Sequence, residues 1–311
     1  MPTPAEKRAA YAKELKKIAS RYVTADDKML RAIVAELQAL RKEMAGLLLS
    51  SEGLQLEKLN SLQNGAEDMI DAFSKRLTPG IGNLAGQMLN LGSDAVVDPL
   101  NRMGFNLTAQ APDLALVNAT VGNTARLVQN ISMVMRLEID RQLQLSVLGG
   151  QTPTQAMKGI TDILGVRATD GVWGRLRRPE IVKGVAARAE AIFRTENTRI
   201  LNLAMDSQQQ VVAQAIPEIR KRWLASGDDR TRPSHLQTHI DTAANPIPVD
   251  FLFSVGSDLL RFPGDPNGSA EETINCRCSM ATVVQELGPI ETSLDKAIEQ
   301  EILRREDAKT N

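Results

Sequence analysis

Both histidines and both cysteines of this chain fall in a window of 44 residues out of 311. His235 and His239 sit at one end of the window, Cys276 and Cys278 at the other. If the four converge, they dictate how two separate pieces of chain must meet. His-x3-His sets two imidazoles one helical turn apart on a shared face. With two thiolates they make a His2Cys2 set, which suits tetrahedral zinc of the closed, structural kind. Cys-x-Cys is tighter than the usual zinc spacing. On a flat strand the two thiols would share a face but lie about 6–7 Å apart, so a turn or bulge has to bring both to one ion. The plain alternative is two hydrogen-bonded histidines and two small apolar cysteines in a core.

The segment around these residues cannot be long helix. Ser226-Gly227-Asp228-Asp229 reads as a turn, Asn267-Gly268 as another, and Pro246, Pro248, Pro263 and Pro266 break what lies between. Val249–Phe253 reads as a strand. A small segment rich in Pro and Gly gains most from a metal staple.

Upstream the pattern is helical. Thr3-Pro4-Ala5-Glu6 has Thr at the N-cap, Pro at N1 and Glu at N3, a capping box. Thr24–Asp27 offers a second cap. Leu30, Ile33, Leu37, Leu40, Met44 and Leu47 then recur at steps of three and four, the period of a coiled-coil seam. The seam fits a neighbouring helix or self-association through 23–50. Ser50–Gly53 interrupts it, and an amphipathic stretch follows from Leu54 to Leu77. Residues 78–125 are nearly free of charge, with Pro79, Pro99 and Pro112 as breakers. They read as short buried helices and loops, or as a surface that packs on another protein.

Leu114–Leu148 reads as one long helix or two, ending at Gly149-Gly150. Thr152-Pro153-Thr154-Gln155 repeats the capping box and starts a helix that stops near Gly165. Trp173, Arg175, Arg177 and Arg178 form a basic cluster, either a solvated face or a contact for nucleic acid or an acidic partner. Pro179-Glu180 opens a helix that continues to about Ala215. On its buried stripe, Glu196 stands where an apolar residue is expected. A buried carboxylate needs a partner. Arg199 is the local candidate, but the expected partner is Arg230 or Arg232 from further along the chain. A last helix begins near Thr292, with Leu294, Ile298 and Ile302 on one face.

The expected fold is mainly α. Long N-terminal helices lead into a helical region and a small α+β C-terminal module holding the His/Cys cluster. The expected division is 1–110, 111–288 and 289–311.

Charge is balanced, 37 basic against 38 acidic residues, so bulk electrostatics do not predict a nucleic-acid coat. Aromatics are only 3%, which favours helices packed by aliphatic side chains. Two cysteines one residue apart cannot staple a fold, and the N-terminus lacks a signal peptide's apolar stretch. No run approaches the roughly 18 apolar residues of a membrane span. The expectation is a soluble protein, cytosolic when made, with no membrane partner.

Known catalytic patterns do not fit. His235 is followed by Leu236 rather than the Glu of a His-Glu-x-x-His protease. Gln237 and Cys-Arg-Cys replace the His-x-Glu and Cys-x-x-Cys of zinc deaminases. A Cys–His nucleophile pair is conceivable chemically, but two thiols stand where one is wanted. No phosphate loop is present. The expected catalytic residue set is therefore empty.

The ordered set Arg-Thr-Glu (194–196), Trp223, Asp-x-Arg-x-Arg-x-Ser-His (228–235), Pro-Gly-Asp-Pro (263–266) and Asn-Cys-Arg-Cys (275–278) resembles the phage head morphogenesis proteins related to the F protein of phage Mu. The resemblance covers roughly 111–285. In relatives the position of His239 is often Asp or Asn followed by Gly. Here it is His followed by Ile240. The resemblance implies a non-enzymatic minor head protein at the portal end of the capsid, assembled in the host cytoplasm and carried in the virion. Implied partners are portal or major capsid protein and packaged DNA. A role in packaging or ejection follows from that position. Some longer relatives carry a toxin or transferase domain after the Cys-Arg-Cys motif. This sequence ends 33 residues beyond Cys278, so none is expected. Two other functions compete: a metal-dependent nuclease or other DNA-processing enzyme, and a nucleic-acid-binding ejection protein with salt-sensitive binding.

Overall fold

The structure, a computed structural model, describes residues 3–50, 54–110, 114–166, 184–284 and 293–310. It is mainly α with a small sheet near the C-terminal end, the fold class expected from the sequence. The chain divides into two compact units. The first comprises Met1–Ala25, Ala85–Val117 and Arg194–Asn311; the second comprises Asp26–Leu84 and Asn118–Phe193.

Helix α1 spans Pro4–Ser50. Its start is the expected capping box: the Glu6 amide donates to Thr3 Oγ1 at 3.3 Å, and the Thr3 amide donates to Glu6 Oε2 at 2.7 Å. The second cap at Thr24 does not form. The Thr24 hydroxyl instead donates to the Ser20 carbonyl, one turn back within an unbroken helix. After a 3-10 turn, Leu56–Lys58, helix α2 spans Leu59–Arg102. It continues through Pro79 and Pro99, which the sequence marks as breakers. Burial overrides the local penalty. Ile81, Leu84, Ala85, Met88, Leu89, Val96 and Leu100 are buried along it. Much of the charge-poor stretch 81–103 is buried within this chain. Pro112 lies outside the described residues.

Within the second unit the α1 seam, Leu30, Ile33, Leu37, Leu40 and Met44, is buried. Its last member slips to Leu48, while Leu47 is only partly buried. The seam packs in a core with Leu62, Ile70, Phe73 and Leu77 of α2 and with Val128, Ile131, Met135 and Ile139 of α3, Leu114–Leu148. Helix α4, Pro153–Leu164, has the expected Thr152–Gln155 capping box and ends at Gly165, whose φ of 70° needs no Cβ. The cluster Trp173, Arg175, Arg177 and Arg178 and the helix start at Pro179 lie outside the described residues.

In the first unit helix α5, Val185–Ala215, delivers residues from Arg194 onward. Gly92 of α2 lets the two helices approach closely: a Cβ there would sit 2.4 Å from the Leu201 carbonyl oxygen. Strand β1, Ile219–Leu224, is the centre of an antiparallel sheet ordered β2-β1-β5, with β2 at Ile247–Pro248 and β5 at Ser279–Val284. Trp223 pairs with Met280 and Lys221 with Thr282. Helix α6, Pro233–Ala244, packs on β1. A hairpin of β3, Phe253–Val255, and β4, Asp258–Leu260, follows. The expected strand at Val249–Phe253 is displaced: 249–251 is turn, and pairing begins only at Phe253. A short helix α7, Ala270–Thr273, leads to β5, and α8 spans Ser293–Thr310. No described helix is long and apolar enough to cross a membrane.

Candidate functional site: a His/Cys cluster clamped by buried polar side chains

Three of the four soft ligands converge. One ligand atom each of His235, Cys276 and Cys278 lies within 4.8 Å of the others, and all three residues are buried. His235 projects from α6. Its Nδ1 lies 3.2 Å from Cys278 Sγ and 3.8 Å from Cys276 Sγ. Its Nε2 lies 2.9 Å from Glu272 Oε2. An ionised carboxylate only accepts, so this bond places the ring proton on Nε2 and turns the Nδ1 lone pair to the sulfurs. The Ser234 hydroxyl donates to the same Glu272 oxygen at 2.9 Å. Trp223 stands edge-on to the His235 ring, and Phe253 edge-on to Trp223, each with centroids 5.3 Å apart.

A bend comes just before Cys-x-Cys. Asn275 takes a left-handed φ of 58°, which Asn tolerates better than most residues. Residues 276–278 then lead, without regular structure, into β5. Helix α5 holds this ribbon through one face. Thr195 Oγ1 accepts from the Asn275 amide at 2.9 Å. The Thr198 hydroxyl donates to the Cys276 carbonyl at 2.6 Å, and Asn202 Nδ2 donates to the Cys278 carbonyl at 3.1 Å. Between the cysteines, Arg277 turns away and grips Asp228 with both terminal nitrogens, one of them 2.7 Å from Oδ1.

The thiols titrate as a pair. A hydrogen bond from Cys278 outweighs burial and holds Cys276 below the usual thiol range. Burial, then the hydrogen bond with Cys276 and that residue's charge, pushes Cys278 well above it.

His239 stands outside the cluster. Its Nδ1 accepts from the Ala225 amide at 3.4 Å, and its Nε2 donates to Asp295 Oδ1 of α8 at 3.0 Å. Arg222 of β1 binds the same carboxylate. Both ring nitrogens are therefore engaged in tying α8 to the sheet.

Glu196 finds the local partner: Arg199 Nη1 lies 2.6 Å from its Oε1, and Arg199 Nε donates to the Gly264 carbonyl at 3.1 Å. The distant candidates sit elsewhere. Arg232 donates to the Ile274 carbonyl at 2.6 Å, and Arg230 is exposed, its amide donating to Asp228. In the Pro-Gly-Asp-Pro loop, Asp265 is buried and accepts from the Arg261 amide at 2.8 Å and the Asn267 amide at 2.9 Å. Gly264, at φ 82°, brings that loop against α5: a Cβ would lie 3.3 Å from Arg199 Cα.

Sequence reasoning misses Glu272, Thr198 and Asn202. Glu272 sits in Ala-Glu-Glu-Thr, which reads as a solvated helix start. Thr198 and Asn202 are polar residues at buried helical spacing, the same kind of mismatch that marks Glu196. A further buried pair is equally silent in sequence. Lys221 Nζ lies 3.7 Å from Asp206 Oδ1, donates to the Arg261 carbonyl at 2.9 Å, and sits 5.0 Å above the Phe253 ring. Arg261 binds the other Asp206 oxygen.

Residues 138–281 match the family described as phage Mu protein F like protein, so the family expected from the ordered motifs is shown over that region, which covers every residue of the His/Cys cluster and its α5 clamp. The match supports the resemblance to phage head morphogenesis proteins over that region. The chain is also 33% identical over 92 residues to the uncharacterized protein YqbB of Bacillus subtilis (strain 168); the match covers 29% of this chain and 30% of that protein. No solved structure matches.

Proposed function

We propose that the protein is a non-enzymatic minor head protein that joins the phage capsid at the portal and stays with the virion. The observation that carries this reading is the way the family motif pieces interlock. Thr195, Asp228, Ser234, His235, Gly264 and Arg277 each bind or pack against another motif piece or a residue beside one. Such side chains hold a shape, and an assembly protein works by shape. Portal and major capsid protein are the proposed partners, with packaged DNA a further contact. In this reading the protein assists packaging or ejection through its place in the particle. The test is mass analysis of purified virions with and without the gene product. The expected result is a defined copy number in wild-type heads, and defective heads or poorly infectious particles when the gene is deleted. Normal, fully infectious particles lacking the protein would overturn the reading. So would robust turnover of nucleic acid by the pure protein, which belongs to a DNA-processing enzyme.

A further inference from the structure

We propose that His235, Cys276 and Cys278 bind one zinc ion, and that Glu272 is the positioning residue that orients the histidine toward it. The inference is independent of the head-protein reading, since it rests on donor chemistry alone.

The donor geometry fits. With Zn–S near 2.3 Å and Zn–N near 2.05 Å, a tetrahedral ion sets its imidazole nitrogen and thiolate sulfur about 3.6 Å apart. The two N···S distances here, 3.2 and 3.8 Å, bracket that value. All three donor atoms fall within 4.8 Å of one another, so modest rotation of the thiols reaches an ion. The proton on the histidine is in the right place. Glu272 accepts from Nε2, leaving the unprotonated Nδ1 with its lone pair toward the sulfurs, free to ligate. A carboxylate on the far nitrogen of a ligating histidine is the usual outer support of a zinc site: it fixes the ring and raises its basicity.

The backbone is set without help from an ion. Thr198 and Asn202 hold the carbonyls of the two cysteines, and Asn275 supplies the bend. Two thiolates and an imidazole select zinc over magnesium or calcium, which prefer oxygen. The ligand residues are 1–2% exposed, so the ion would lie in the core with three protein ligands and one further position to fill. His239 takes no part, because Ala225 and Asp295 occupy both of its nitrogens.

The experiment uses the full chain, purified without a histidine tag. Elemental analysis is expected to give one zinc per chain, and a strong chelator to lower the melting temperature. Cobalt added to the chelated protein should produce a sulfur-to-metal charge-transfer band. His239→Asn should keep full stoichiometry, while Cys278→Ser loses the ion. Glu272→Ala should weaken zinc affinity about 10–100-fold in competition with a chromophoric chelator, and shift the cobalt spectrum only slightly. Where the cysteine variant does not fold, the wild type still decides: zinc should slow alkylation of both thiols. Substoichiometric metal with no chelator effect on melting would overturn the proposal. Iron or copper in place of zinc, loss of metal in His239→Asn, or alkylation rates unchanged by zinc would overturn it equally.

Discussion

The two units of this chain solve the same problem by different chemistry. The second unit is helices around an apolar core, Leu37, Leu40, Phe73 and Ile131 among them, with ion pairs such as Arg76–Glu36 on half-open surface. The first unit buries Thr198, Asn202, Asp206, Lys221, Asp265 and His235 as well as its apolar residues. A hydrophobic core asks for volume and tolerates repacking. A buried polar network requires each donor to meet its own acceptor, and a half-satisfied one is worse than none. The first arrangement yields a robust support. The second fixes the positions of the groups it pairs.

Removing one carboxylate from each unit should give the largest contrast. Asp206→Ala leaves Lys221 as an uncompensated charge that is 1% exposed, and should cost about 3–5 kcal/mol in chemical denaturation. Burial already pushes Asp206 upward and Lys221 downward, so neither ion is held by solvent. Glu36→Ala removes one of two carboxylate partners of an exposed arginine and should cost about 0.2–1 kcal/mol. Equal losses would break the comparison.

Shape-conserving swaps should sharpen it further. Thr198→Val keeps the volume but strips the Cys276 carbonyl and the Tyr22 hydroxyl of a shared partner, at about 2 kcal/mol. Leu37→Met in the second unit should cost under about 1.5 kcal/mol and leave the fold unchanged. Melting of the two variants side by side measures the difference.

Local physics explains what the sequence shows. The capping boxes at Thr3 and Thr152 and the stops at Gly149 and Gly165 are settled within four residues, so they are visible in the chain alone. The α1 seam is visible because its period repeats. Pro79, Pro99 and Thr24 mislead, because burial elsewhere decides whether a weak local break is honoured. The cluster was legible as far as residue type reaches: His235, Cys276 and Cys278. The split between His235 and His239 was not, since it depends on Asp295 and Glu272 arriving from distant turns. Glu196 announced its need for a partner by breaking an apolar stripe, and Arg199, one turn away, supplies it.

Two glycines with positive φ allow a finer comparison. Gly165 caps α4 at φ 70°, and Gly264 turns the Pro-Gly-Asp-Pro loop at φ 82°. Alanine at either should cost about 1–2 kcal/mol for left-handed backbone. Gly264→Ala should cost more, because its Cβ also meets the Arg199 backbone at 3.3 Å. A greater loss for Gly165→Ala would show that the loop, unlike the end of α4, can yield.

The smallest effect concerns Asp228, which joins the turn before α6 to Arg277. Burial raises its carboxyl, but the hydrogen bonds and charge of Arg277 outweigh this and hold it below the usual range. A carboxyl lowered on folding binds fewer protons folded than unfolded across that interval, so stability rises with pH through it. The contribution is complete above the ordinary carboxylate value of about 3.9 and is lost as pH falls through the lowered folded value. Asp228 is 35% exposed at its side chain and Arg277 21%, so solvent screens the pair and its worth is at most about 1 kcal/mol. Asp228→Asn should therefore be slightly less stable than the parent near neutrality and converge with it in acid. Taking the difference between the two curves cancels the titration of groups both proteins share. A difference independent of pH would mean that Asp228 acts through its bonds to Thr231 and the Arg230 amide rather than through its charge.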